Sequence, residues 1–281
     1  MTQRVRDHLG RFGIWRGGSQ LTPELAASLE QLRYGTLWVG GSPSGDLTLV
    51  EQLLDATTTL TLATGIVNIW QADAHEVAAS FKRIEARHPG RFLLGVGAGH
   101  REATQRYAKP YETLVSYVDV LLGEGVPEAS LVLAALGPKV LRLAAERTAG
   151  AHPYLVTPEY TRQARAILGP GPLLAPDQKV VLDTDADRAR ATGRERVRTY
   201  LGLVNYTNNL RRLGWGDDDL SGVGSDALID ALVARGSAGE VAAQLTEHLT
   251  AGADHVAIQV LTAPGADLLD AYRELAHALE L

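Results

Sequence analysis

The stretch from Leu60 to His100 constrains the chain most. It reads Leu-Thr-Leu-Ala-Thr-Gly-Ile-Val-Asn-Ile-Trp, then a helix-forming run from Ala72 to Arg87, then His-Pro-Gly-Arg-Phe-Leu-Leu-Gly-Val-Gly-Ala-Gly-His. Two short apolar runs bounded by glycine flank a helix whose Ala74, Val77, Ala78, Phe81 and Ile84 share one face, the pattern of a strand, helix, strand unit in a buried parallel sheet. Each strand ends in small residues followed by a polar one. In α/β folds ligands bind at the carboxyl ends of the strands, so Thr64 to Asn68 and Gly97 to His100 are candidate site positions.

The same alternation extends in both directions. Strands are expected at Phe12 to Trp15, Thr36 to Val39, Leu131 to Ala135, Ala149 to Leu155, Lys179 to Asp183 and around Gly252 to Leu261. Thr22-Pro23-Glu24 and Thr157-Pro158-Glu159 each supply a cap, a proline suited to the first helical position and an early acid. Ser225 caps another helix, and Ser237 with Glu240 forms a capping box. A helix from about Asp185 to Leu203 carries Arg188, Arg190, Arg194, Arg196 and Arg198, either a solvated face or a binding surface; residues 205 to 224 are expected to hold a short helix and a loop. Eight strands alternating with helices, without a linker, predict an α/β chain folded as a single (β/α)8 TIM barrel with extra helices between strands 7 and 8.

A length of 281 residues with 45% hydrophobic content is enough to bury a large core. The net charge of −6 argues against nucleic acid as the main partner. The chain has no cysteine, which excludes disulfides, thiol catalysis and thiolate-bound metals. The N-terminal residues lead into no long apolar run, and no stretch approaches the roughly 20 apolar residues of a membrane span, so a cytoplasmic protein without a membrane partner is expected.

Gly95-Val-Gly-Ala-Gly99 departs from the dinucleotide fingerprint in its spacing. It is either a tight turn leaving a strand or, together with Leu136-Gly137-Pro138-Lys139, a cradle of backbone N–H groups for an anion at a helix start. The eight histidines include no HxH or HExxH, so no metal site is expected. No G-x-S-x-G elbow occurs either. Trp15, Trp38 and Trp70 stand near expected strand ends, where they would wall a flat cofactor or pack the rim.

Leu62-Ala-Thr-Gly-Ile-Val-Asn and Pro89-Gly-Arg-Phe-Leu-Leu-Gly-Val-Gly-Ala-Gly99 resemble the corresponding stretches of the bacterial-luciferase-like superfamily. Ala134-Ala-Leu-Gly-Pro-Lys-Val-Leu-Arg-Leu-Ala-Ala, His152-Pro-Tyr-Leu-Val-Thr-Pro-Glu and Ala251-Gly-Ala-Asp-His-Val-Ala-Ile-Gln-Val are similar to its F420-dependent oxidoreductase branch, and the resemblance spans most of the chain. It implies a single barrel domain over residues 1–281 that binds coenzyme F420, or alternatively FMN, at its carboxyl-end mouth. A non-proline cis bond at Gly65–Ile66 would form a bulge behind the ring, with Thr64 and Val67 beside it and Asn68 at the pyrimidine edge. Gly97, Ala98, Gly99 and His100, with Leu136, Gly137, Pro138 and Lys139, would bind the phosphate. Trp15, Gly40, Gly41, Trp70, His152 and Tyr154 would line the substrate pocket.

Sugar-phosphate dehydrogenase cousins carry an Asp-His pair at the end of strand two, where this chain has Gly40-Gly41-Ser42. That departure disfavours alcohol oxidation and favours reduction of a small organic molecule, with His100 either the proton donor or a residue that orders its loop. The alternatives are an FMN-dependent monooxygenase and a non-catalytic flavin- or deazaflavin-binding protein. A homodimer is expected by analogy with the family.

Overall fold

The protein is described here from a computed structural model, which covers residues 8–103, 108–262 and 267–281. The first half of the chain holds β1 (Phe12–Gly17), α1 (Pro23–Gln31), β2 (Thr36–Gly40), α2 (Thr48–Asp55), β3 (Thr61–Gly65), β4 (Val67–Asn68), α3 (Ala74–Arg87), β5 (Phe92–Gly97) and α4 (Pro110–Gly123). The second half holds β6 (Leu131–Leu133), α5 (Pro138–Arg147), β7 (Gly150–Ala151), α6 (Pro158–Leu168), β8 (Leu173–Leu174), β9 (Asp177–Val181) and α7 (Ala186–Leu201). It continues through α8 (Val204–Arg212), α9 (Asp217–Leu220), α10 (Asp226–Leu232), β10 (Val233–Arg235), α11 (Ala238–Thr250), β11 (Val256–Val260) and α12 (Leu268–Ala278).

Helix starts follow from side-chain capping. The hydroxyls of Thr22, Thr157 and Ser225 accept from the backbone N–H three residues on, and Ser237 exchanges bonds with Glu240. The strands form one curled, all-parallel sheet in the order β10-β9-β11-β1-β2-β3-β5-β6-β7-β8, with β4 beside β5. The first strand therefore lies between β11 and β2.

Side-chain alternation along each strand assigns the two faces of the curl. Leu37, Val39, Leu62, Phe92 and Leu94 point outward into the large core beneath the helices, while Trp38, Ala63, Leu93, Val132 and Ala257 belong to a smaller inner cluster. A third cluster joins α7, α8 and α10 through Val197, Leu210, Ile229 and Leu232. Among the described residues, no helix is long and apolar enough to cross a membrane.

Several elements differ from expectation. The strand expected over Ala149 to Leu155 is ladder-paired only at Gly150–Ala151, because Pro153 has no N–H to donate and Leu155 adopts φ 55°. The next strand begins at Asp177 rather than Lys179, and its Asp177, Gln178 and Lys179 are buried polar residues that no apolar pattern announces. Val233, expected in a helix, opens β10 and pairs with Lys179. The sheet path runs through ten strands, the short β8 and β10 joining the eight expected ones.

Candidate functional site

A cavity of about 540 Å³ opens where the carboxyl ends of the strands meet. The end of β3 contributes Gly65 and Ile66, and Asn68 follows on β4. The turn after β5 contributes Ala98, Gly99 and His100, and the approach to α5 contributes Leu136, Gly137 and Val140. Trp15, Gly41, His152 and Tyr154 complete the set of expected residues that line it. The Gly65–Ile66 peptide bond is cis.

The turn after β5 is built around Asn68. Its Oδ1 accepts from Trp70 N at 3.0 Å, and its amide nitrogen lies 2.7 Å from where a Cβ on residue 99 would stand. Gly99 also adopts φ 58°, so glycine is required there on both counts. Trp70 donates its indole N–H to Ala98 O at 2.7 Å, which holds the turn from behind. The N-terminus of α5 has no side-chain cap at Gly137, and among the described residues nothing lies within 4 Å of a Cβ built there. Backbone donors at that helix start thus remain open to an anion beside the cavity.

Other expected residues do not line this cavity. Thr64 is buried, and its hydroxyl bonds both Gly95 O and Gly95 N at 2.8 Å. Val67 packs in the core, and a Cβ on Gly97 would meet Ala134. Pro138 occupies the first turn of α5, while Lys139 places its ammonium 3.8 Å from the Tyr111 ring centroid. Trp70 is spent on Ala98. Gly40 lies beneath the Trp15 indole and, with Gly41, lines an adjoining cleft of about 390 Å³. Trp38 is fully buried, so it walls nothing. A further cleft of about 440 Å³ between α6 and α11 shares no residue with the main cavity.

Sequence reading missed the far wall. Arg196 and Tyr200 from α7, with Asn205 and Tyr206 from α8, line the cavity. Of the arginine face, Arg188 pairs with Asp183, Arg190 with Asp230 and Arg194 with Asp226, whereas Arg196 faces inward. Arg196 and Tyr200 are four residues apart, the spacing that shares a helical face, and this was the available signal. Tyr154, Tyr200 and Tyr206 form a ring cluster with centroids 5.1 to 6.3 Å apart, and His100 joins it at 5.4 Å from Tyr206.

Burial sets the protonation of this wall. It pushes the phenols of Tyr154, Tyr200 and Tyr206 up, so all three are neutral. Burial pushes the His100 imidazole down, against the opposing pull of Glu102; Asn205 Nδ2 lies 3.4 Å from its Nδ1. Behind Tyr154 lies a buried pair, with Lys179 Nζ 2.6 Å from Asp177 Oδ1 and 3.6 Å from the Tyr154 ring centroid. Desolvation lowers Lys179 to about 8. His152 stacks on Trp38 with centroids 4.0 Å apart and directs Nδ1 at Ala175 O, 2.7 Å away.

Residues 18–123 match the family described as luciferase-like monooxygenase. No curated protein sequence matches the chain. Among solved structures, an F420-dependent secondary alcohol dehydrogenase in complex with an F420-acetone adduct superposes with a TM-score of 0.75 at 16% identity, covering 96% of this chain and 98% of that one. The coenzyme F420-dependent tetrahydromethanopterin reductase from Methanopyrus kandleri gives 0.71 at 16% identity, with the same coverage of 96% and 98%. The oxygenating constituent of 3,6-diketocamphane monooxygenase from Pseudomonas putida, in complex with FMN, gives 0.62 at 13% identity and 96% of each chain. The resemblance read from the sequence stands where the family matches, over residues 18–123, and the fold is shared with F420-dependent enzymes and luciferase-like monooxygenases along nearly all of the chain.

Proposed function

We propose that residues 1–281 form one (β/α)8 domain that binds coenzyme F420 and transfers hydride between the deazaflavin and a small organic substrate. The observation that carries this reading is the meeting of Gly65, Ile66 and Asn68, Ala98 to His100, and Leu136 with Gly137 on one cavity. Barrel closure is supported by backbone bonds on both sides of residues 173–181: Asp177 N donates to Pro153 O and Ala257 N to Pro176 O, at 2.8 and 2.9 Å.

The residues fit such a group. Ile66 offers an apolar backing, Asn68 an amide for the pyrimidine edge, the turn at Gly99 a backbone donor, and the helix start at Gly137 backbone donors with space for phosphate. A bound deazaflavin supplies the hydride chemistry at its own C5. Around it, His100 holds a proton on a neutral imidazole near the open side of the cavity, and the tyrosine wall excludes water from the reacting face. The test is a titration followed by cofactor fluorescence. Saturable F420 binding is expected; binding of FMN alone overturns the cofactor assignment.

The match of residues 18–123 to a monooxygenase family favours a second reading, an FMN-dependent monooxygenase. Oxygen consumption with reduced FMN, and oxygen from O2 in the product, would select it.

A further inference from the structure

The far wall of the cavity presents more positive charge than its carboxylates balance. Among the described residues that line the cavity there is no aspartate or glutamate, and Arg196 is the guanidinium. Behind it, Asp177 serves both Lys179 and Arg196, so one carboxylate stands against two cations. No carboxylate side chain pairs with Arg196 among the described residues.

Hydrogen-bond bookkeeping along this wall fixes which way the protons point. The orientation of the Gln259 amide that matches all of its neighbours directs its oxygen at Arg196 Nε and Nη2, at 3.3 and 3.0 Å, and its nitrogen at the Tyr154 hydroxyl, 2.8 Å away. Tyr154 therefore accepts from Gln259, and its own proton goes to the acceptor within reach, the Tyr200 oxygen 3.0 Å away. The Tyr200 proton is then left for a group in the cavity. The Arg196 guanidinium, which also bonds Tyr154, lines the same space. Two donors, one charged, converge on a cavity without a fixed anion, and both are held in place by the Gln259 and Tyr154 relay.

We infer that the substrate of this site carries an anionic group, a carboxylate in the simplest case, received by Arg196 and the Tyr200 hydroxyl beside an aromatic wall. This rests on the reading of the cavity as the substrate and cofactor site. It adds a substrate class: planar or compact organic anions, with cations and neutral analogues discriminated against.

The test uses benzoate and benzamide, which share shape and differ in charge, with the intact protein in low-salt buffer at neutral pH. Calorimetry is expected to show benzoate binding at least about tenfold more tightly than benzamide. Arg196→Gln should shrink that ratio to within about twofold, Arg196→Lys should keep part of it, and Tyr200→Phe should lower it by a smaller factor. The F420 dissociation constant should change by less than about twofold in Arg196→Gln. Equal affinity for the two probes in the wild-type protein, no saturable benzoate binding, or a preference that survives in Arg196→Gln overturns the inference. An equal loss of F420 affinity in Arg196→Gln also overturns it, by assigning the anion to the cofactor. Failure of both F420 and FMN to bind while the benzoate preference persists defeats the proposed cofactor chemistry and leaves the anion subsite standing.

Discussion

The indole of Trp15 fills the space that a side chain on Gly40 would need: a Cβ there would overlap the Trp15 ring carbons. Trp15 stands opposite Trp38 in the strand register, its ring reaches along β2 to Gly40, and its Nε1 donates to Gly65 O at 3.2 Å. One packing contact on β1 and β2 thus reaches the floor of the cavity.

Gly40→Ala is accordingly expected to cost about 1–3 kcal/mol of stability through overpacking. Because Trp15 must move, its bond to Gly65 O should be lost, and F420 affinity should fall with it. Urea denaturation gives the first quantity and cofactor titration the second; unchanged values for both would contradict the contact.

His152, His248 and His255 are buried and held neutral. His255 donates through Nδ1 to Gly10 O and accepts from Trp38 Nε1, while His248 bridges Thr161 and Gln178. Desolvation lowers each from 6.5 to about 4. The unfolded chain therefore binds more protons between these values, so stability falls as pH drops through that window, by up to about 1.4 kcal/mol per pH unit for each imidazole. The melting temperature should decline steeply from pH 6.5 towards pH 4, and His248→Gln should flatten that slope by about one third.

The Asp177–Lys179 pair is buried on both sides, and Asp177 Oδ1 also accepts from Leu155 N at 3.2 Å. Lys179→Met leaves the carboxylate without its ammonium and is expected to cost about 3–5 kcal/mol. Adding Asp177→Asn should restore much of it, because the uncompensated charge is then gone. Denaturation of the single and double variants forms the cycle; an additive result would refute the pairing.

Gly137→Asp separates stability from ligand binding. Space is open around residue 137, and aspartate at a helix N-cap contributes up to about 1 kcal/mol. The melting temperature should hold or rise. The same carboxylate would occupy the donors assigned to the cofactor phosphate, so F420 affinity should fall at least about tenfold. Unchanged affinity would move the phosphate site elsewhere.

The sequence by itself determined the alternation of elements, because apolar spacing and caps are local properties: α3 begins at Ala74 after the Asp73 cap, and α11 begins after the Ser237 box. It also identified three of the segments that meet at the cavity, since glycine-rich strand ends are written in a few consecutive residues. Tertiary structure alone decided which of those residues face the cavity. Thr64 and Val67 turn into the sheet while Gly65 and Ile66 line the cavity, a difference of one residue in register. The far wall was illegible for a related reason. Arg188, Arg190, Arg194 and Arg196 share one helix; Arg188 pairs locally with Asp183, but only the packing of α7 against α10 pairs Arg190 and Arg194 with Asp230 and Asp226, and only its place over the strand ends puts Arg196 on the cavity. The burial of Asp177 and Lys179 was likewise not legible, because it depends on partners distant in sequence, here Tyr154 and Leu155, that no local pattern encodes.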